Sequence, residues 1–299
     1  MTEMPGSFSR RRVLLHAAVG MSTLVLKPSA LHVRAAERKP LSFLVVSDTH
    51  LGYRDQESAR QQWEKTAKAL AAARGEFVLH LGDVVDGGRE AQYPVYLETR
   101  ATISKPVHEI PGNHDPHELF SKHIRTTVDM AFDHEWLRVI LIGNARPDSH
   151  DGFITIAQLK WLDEQLQEVR ASGRRAILGM HVPAHRNVHP DRGWFVKPQD
   201  GQRDLYELID RHKAIVIALF HGHFHNGLRG WDDRAPIHEI CFPSALYNQD
   251  RKLQEQNAPG YNLPEFRPGF THVELDGALL KLTYQPVGQQ DAAKKELKL

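Results

Sequence analysis

Five short apolar runs in this chain stop abruptly on side chains that bind metals or move protons. Leu41 to Ser47 runs into Asp48-Thr49-His50, and Phe77 to Leu81 into Gly82-Asp83. Pro106 to Pro111 leads to Gly112-Asn113-His114-Asp115, Ala176 to Met180 to His181, and Ala214 to Phe220 to His221-Gly222-His223-Phe224-His225. Each run is apolar without a helical period and too short for a helix, the pattern of a buried strand in a largely parallel sheet. Open α/β sheets hold their sites just beyond the carboxyl ends of such strands. Mixed oxygen and nitrogen donors suit Mn, Fe, Zn or Co and disfavour Mg or Ca. Five ends of this kind imply one shared metal site with Asp83 at its centre.

A single histidine at a strand end is ordinarily a hydrogen-bonded structural residue, and His80, His108, His117, His185 and His221 are read in that way. Asn113 alone would pass for a left-handed turn residue. Asp86 either bonds its own turn backbone or supports the site. The set together has no such explanation, because unrelated folding needs would not put ligand-competent side chains on five adjacent strand ends.

The elements that must position these residues are legible from periodicity. Glu57 to Arg74 has Ala59, Trp63, Ala67 and Leu70 on one helical face, with Gly75 as its stop. Flanked by two strands, it makes a βαβ unit with a right-handed crossover. Glu90 to Ile103 and a short stretch from Pro116 to Lys122 are helical. Met130 to Phe132 and Trp136 to Ile142 read as a hairpin. Thr155 caps a helix over Ile156 to Ala171, and Asp204 to His212 is another. Leu228 to Trp231, Ile237 to Phe242, Thr271 to Leu275 and Ala278 to Tyr284 read as strands, the last two joined by Asp276-Gly277, a strong hairpin signal. Pro183 to Gln202 and Asn248 to Gly269 are loops where specificity elements would lie.

Composition excludes several classes. Hydrophobic content of 41% and charged content of 25% are ordinary for a soluble globular protein. The net charge of +1 is unevenly placed, since residues 1–36 carry five basic side chains against Glu3, which leaves the remainder net acidic. No basic surface for nucleic acid or anionic membrane is implied. Cys241 is the only cysteine, so an intrachain disulfide and a Cys-x-x-Cys zinc site are both excluded.

In order along the chain, Asp48-x-His50, Gly82-Asp83, Gly112-Asn113-His114-Asp115, His181 and Gly222-His223-Phe224-His225 resemble the calcineurin-like metallophosphoesterase family. The resemblance runs from Leu41 to Tyr284, nearly the whole chain beyond the N-terminal signal. His50 in place of an acidic residue in the first motif separates the chain from purple acid phosphatases, as does the lack of a matching tyrosine ligand. The chain looks most like the phosphodiesterase branch with cyclic-nucleotide and glycerophosphodiester members. The resemblance implies two divalent or iron-type ions (Mn, Fe, Zn or Co), with Asp83 bridging them. Asp48, His50 and His225 would complete one, and Asn113, His181 and His223 the other. Two such ions about 3.5–4 Å apart neutralise a phosphate ester and lower the pKa of a bound water towards ~7. A bridging hydroxide would then attack phosphorus. His114 would be the acid or transition-state hydrogen-bond donor, and Asp115 would orient it.

The fold implied is an α/β, four-layer α/β/β/α sandwich of two mixed sheets. The first sheet is expected to be largely parallel, and the second to combine the later strands with the C-terminal hairpin. At the N-terminus, Ser9-Arg10-Arg11-Arg12-Val13-Leu14-Leu15 opens an apolar run of about 14 residues, short for a bilayer core of roughly 30 Å. It reads as a secretory signal ending near Val33 to Ala36 and resembles a twin-arginine export signal, with an uncleaved anchor as the alternative. The expected organisation is a signal over 1–36, a calcineurin-like domain over 37–288 and a flexible tail over 289–299. The implied function is an exported, periplasmic or secreted, hydrolase of small phosphodiesters or phosphomonoesters, with the twin-arginine machinery as its partner in transport. The alternative is an exported protein that binds metal and a phosphorylated ligand without turnover. A nuclease is disfavoured by the acidic remainder.

Overall fold

The first strand, β1 (Leu41–Val46), sends its side chains into two separate cores. Leu41, Phe43 and Val45 enter one apolar cluster, and Leu44 and Val46 enter another. A strand buried on both faces needs a continuous apolar run, and Phe43 to Val46 supplies one. A computed structural model describes residues 38–184, 200–231, 237–248, 266–290 and 293–299. Described residues all fall within one compact unit.

After β1 come α1 (Gln56–Ala72), β2 (Val78–His80), α2 (Gln92–Arg100), β3 (Val107–Glu109), α3 (His117–His123), β4 (Met130–His134) and β5 (Leu137–Ile142). Then follow α4 (Ile156–Ala171), β6 (Arg175–Met180), α5 (Gln202–His212), β7 (Val216–His221), β8 (His238–Cys241), β9 (Gly269–Asp276), β10 (Leu279–Pro286) and β11 (Ala293–Lys298). One sheet has the order β11-β10-β9-β1-β2-β3, the other β4-β5-β6-β7-β8. In the first, β1 pairs parallel with β2 and β2 with β3, while β9 pairs antiparallel with β1. In the second, β5 to β8 run parallel and β4 pairs antiparallel with β5.

The layers follow from three apolar clusters. Phe43, Leu79, Leu141, Ile177, Phe220 and Val273 belong to a cluster drawn from both sheets, so the sheets face each other. Trp63, Leu70, Tyr93, Tyr96 and Phe120 from α1, α2 and α3 cover the outer side of the first sheet. Leu162, Leu166, Val169, Leu205 and Leu208 from α4 and α5 cover the second. The result is the expected α/β/β/α sandwich. Helix starts are set locally: Asp55 accepts from the amides of Glu57 and Ser58, and Thr155 with Gln158 forms a capping box.

Four expectations are corrected. The first sheet is not largely parallel, since only its β1–β2 and β2–β3 pairings are; the second is, with β5 to β8 all parallel. The C-terminal hairpin belongs to the first sheet, beside β1, and not to the second. There Val273 pairs with Phe43 and Leu275 with Leu41, and Leu280, Leu282 and Tyr284 of the same hairpin join them in the core between the sheets. The tail over 289–299 is not frayed along its length, because Ala293 to Lys298 forms β11, paired with β10, and Leu297 is buried. Its lysines hide the alternation, and they suit an edge strand, where charge discourages further pairing. Gly227–Trp231 is a 3-10 turn and not a strand. The signal over 1–36 lies outside the described residues, as do most of the loops Pro183 to Gln202 and Asn248 to Gly269. Among the described residues no helix is long and apolar enough to cross a membrane.

Candidate metal centre

Strands β1, β2, β3, β6 and β7 deliver the seven candidate ligands to one small region. Asp83 lies between two groups: its Oδ2 is 3.3 Å from His50 Nε2 and 3.2 Å from His181 Nε2. On one side are Asp48, His50 and His225, with Asp48 Oδ1 3.2 Å from His225 Nε2. On the other are His181 and His223, with Asn113 Oδ1 3.3 Å from His181 Nε2. Donor atoms within each Asp/His group all lie within 4.8 Å of one another, and every one of these residues is buried.

The backbone is bent to achieve this. Seven non-glycine residues have positive φ among those described, and five of them are Asp48, His50, Asp83, His223 and His225. Such conformations cost about 1–3 kcal/mol each and persist only where the surroundings enforce them. Glycines make room for the crowded carboxylates. A Cβ on Gly112 would collide with Asp83, and one on Gly222 with Ser47 and Asp48.

The outer nitrogens of the four histidines decide what the inner ones can do. His181 Nδ1 lies 2.7 Å from the Leu81 carbonyl, His225 Nδ1 2.8 Å from that of Tyr247, and His223 Nε2 2.9 Å from that of His150. A carbonyl only accepts, so each of these nitrogens carries the hydrogen and donates it. His50 Nδ1 donates likewise to Asp86 Oδ1 at 3.2 Å. In a neutral imidazole the other nitrogen then presents a lone pair, and all four face inward. His50 Nε2 and His225 Nε2 are 3.0 Å apart, and His181 Nε2 and His223 Nδ1 3.1 Å. Lone pairs facing at that distance repel unless a proton or a metal cation lies between them. With two buried carboxylates and an amide oxygen alongside, this donor set fits divalent or iron-type metals.

Titration points the same way. Burial opposes the charge on Asp48 and Asp83, but the facing imidazoles outweigh it and hold both well below the usual carboxylate range. Burial also pulls His181 down, yet Asp83 and Asp48 lift it to about 9, so the field at its inner nitrogen draws positive charge. His223 is lowered strongly, by burial first and by the neighbouring His181 second.

His114 sits beside this cluster, its ring 4.6 Å from that of His50 and edge-on to it. Its expected partner is corrected. Asp115 does not hold His114: its oxygens accept from the amides of Val84, Val85 and Gly112 at 2.9, 3.1 and 2.9 Å, so its role is to bind two turns together. Burial and the charge of Asp83 push its carboxyl up to about 7 against those amides. The partner of His114 is Asp86, whose Oδ1 is 3.0 Å from His114 Nδ1. Burial lowers the His114 pKa, but the hydrogen bond to Asp86 and the charges of Asp83 and Asp86 more than compensate and raise it. Three residues beside the site were not singled out in the sequence. His150 contacts the Asn113 and His223 side, while Tyr53 and Tyr247 stack 4.7 Å apart beside His50 and His225. None carries a motif, so periodicity and spacing gave no signal for them.

A fold of two facing mixed sheets with an Asp/His cluster at their strand ends defines a class, and the family model for calcineurin-like phosphoesterases matches residues 41–227. The chain belongs to that family, a metal-dependent phosphoesterase family. It is 30% identical over 243 residues to a probable cyclic nucleotide phosphodiesterase of Rhodococcus erythropolis, covering 74% of this chain and 77% of that protein. It is 26% identical over 167 residues to the glycerophosphodiester phosphodiesterase GpdQ of Enterobacter lignolyticus, covering 51% of this chain and 57% of that one. A dimetal phosphatase from Danio rerio shares the fold, with a TM-score of 0.63 at 14% identity over 86% of this chain and 98% of that chain.

Proposed function

We propose that this chain is an exported phosphodiesterase whose site holds two cations, with Asp48, His50 and His225 on one, Asn113, His181 and His223 on the other, and Asp83 shared. The observation that carries the reading is the Asp83 carboxylate, with one oxygen 3.3 Å from His50 Nε2 and 3.2 Å from His181 Nε2. When bound, such ions supply charge neutralisation for a phosphate ester and activation of a water nucleophile. His114 supplies a proton to the departing oxygen. Its Nδ1 is held by Asp86, which leaves the other ring nitrogen for the substrate, and the hydrogen bond and charge of Asp86 favour the protonated ring that an acid needs. Asp86 also holds His50, so one carboxylate registers the acid against the first ligand group.

A diester must expel an alkoxide, which a positioned acid assists. Monoesters expel the same kind of leaving group, so the preference for diesters rests on the activities for which the two relatives are named. The paired Arg10-Arg11 ahead of an apolar run supports export by the twin-arginine route. The test is metal analysis of the purified chain followed by a panel of aryl phosphate mono- and diesters assayed with Mn, Zn, Fe and Co. Two equivalents of metal and faster turnover of diesters are expected. Tight phosphate binding with no turnover on any ester would instead identify a non-catalytic binder. Retention in the cytoplasm of the Arg10→Lys, Arg11→Lys variant, with wild type recovered outside it, tests the export route.

A further inference from the structure

His150 touches the second ligand group twice. Its carbonyl accepts from His223 Nε2 at 2.9 Å, and its ring Nδ1 lies 3.4 Å from Asn113 Nδ2. The Asn113 oxygen faces His181 Nε2 at 3.3 Å, so its nitrogen is the end that donates outward, to the imidazole. An Asn113 amide turned end for end would aim N–H groups into a cluster that has to present lone pairs.

The loop that carries His150 is tied down at its base. It joins β5 to α4, and Phe153 N donates to the Asn144 carbonyl at 3.0 Å. The Asn144 side chain brackets Val182, donating to its carbonyl at 2.7 Å and accepting from its amide at 3.1 Å. Val182 directly follows His181. One loop therefore contacts Asn113 and His223 and clamps the residue next to His181, which accounts for every ligand of the second group apart from the shared Asp83. The outer nitrogens of the first group go elsewhere, to Asp86 and to the Tyr247 carbonyl.

We propose that His150 is a positioning residue for the second cation alone: its ring keeps the Asn113 oxygen turned inward while its carbonyl keeps the His223 lone pair turned inward. The inference rests on the two-cation reading above. Residues that support metal ligands from behind typically contribute 10–100-fold in metal affinity.

The experiment is titration of the metal-free, full-length chain with Mn(II), followed by binding isotherms and by the spin-coupled electron paramagnetic resonance signal of paired ions. For His150→Ala, one equivalent is expected to bind as in wild type and the other about 10–100-fold more weakly, with the paired-ion signal lost at equal loading. His150→Gln, whose amide oxygen accepts from Asn113, is expected to recover most of the difference. The carbonyl survives in both variants, so the ring contribution is read by itself. His150 is exposed, and thermal unfolding of both variants is expected to match wild type. Equal weakening of both equivalents, no change in either, or a Gln variant no better than Ala overturns the proposal. A wild-type isotherm with a single equivalent overturns the two-cation reading itself, and the proposal with it.

Discussion

The two sides of the metal centre share the Asp83 carboxylate and meet again at Asp48, which accepts from the His223 amide at 3.1 Å, but they differ in what stands behind them. The Asp48, His50 and His225 side is backed by Asp86, by the Tyr247 carbonyl and by Ser244, whose hydroxyl donates to the Asp48 carbonyl at 2.9 Å. The Asn113, His181 and His223 side is backed by the Leu81 carbonyl and the loop from Asn144 to Phe153. His114 belongs with the first side, through Asp86. Asp83 couples the two chemically, while their supports come from different parts of the chain. The residues behind one side can therefore be changed without touching those behind the other, while the acid is tied to the first side through Asp86 and to the shared carboxylate through its own amide, which donates to Asp83 Oδ1 at 2.8 Å.

The largest effect is expected where the sides meet. Asp83→Asn removes the shared charge, so both equivalents of metal and all hydrolysis of an aryl phosphodiester should be lost; a variant that kept one equivalent at wild-type affinity would break the symmetry claimed for this residue. Next comes His114→Ala, expected to keep both equivalents by elemental analysis and to lower turnover by about 10²–10⁴-fold. Loss of metal in that variant would make His114 a ligand. Asp86→Ala is the mirror image of the His150 experiment. It should weaken the equivalent on the first side by about 10–100-fold, leave the second unchanged, and slow turnover further by releasing His114.

The smallest effect lies outside both sides. His108 on β3 stacks on Phe132 with ring centroids 3.9 Å apart, and burial, aided by the charges of Arg125 and Arg100, lowers its pKa to about 4. The unfolded chain takes up that proton near pH 6.5 and the folded chain only near pH 4. Between these values the unfolded state binds more protons, so stability falls as pH falls. Denaturant unfolding of the metal-free chain should show a shallower loss across this window in His108→Gln than in wild type. An identical pH profile would remove His108 from the account.

Ligands were legible in the sequence because their identity is their chemistry. Asp48, His50, Asp83, Asn113, His181, His223 and His225 end apolar runs, and a run that stops on a carboxylate or an imidazole announces itself. Of what stands behind them only Asp86 was legible, as one of two readings of that residue. Three of the four outer nitrogens bind backbone carbonyls, of Leu81, Tyr247 and His150, and every residue has a carbonyl. Asp115 was misread because it adjoins His114 in sequence, while its oxygens are taken up by turn amides that no spacing reveals. The sandwich followed from alternating strands and helices. The sheet that receives the C-terminal hairpin did not, because that pairing joins residues more than 200 positions apart, such as Leu41 and Leu275.

That same pairing orders events in the life of the molecule. The strand leading to Asp48 and His50 finds one neighbour, β2, early in synthesis, and the other, β9, only after more than 200 further residues. Such distant partners make completion of the first sheet slow. On the export route proposed here the cytoplasm is then where the cations would be acquired, and the supply inside the cell, rather than that of the periplasm, would choose which element the enzyme carries.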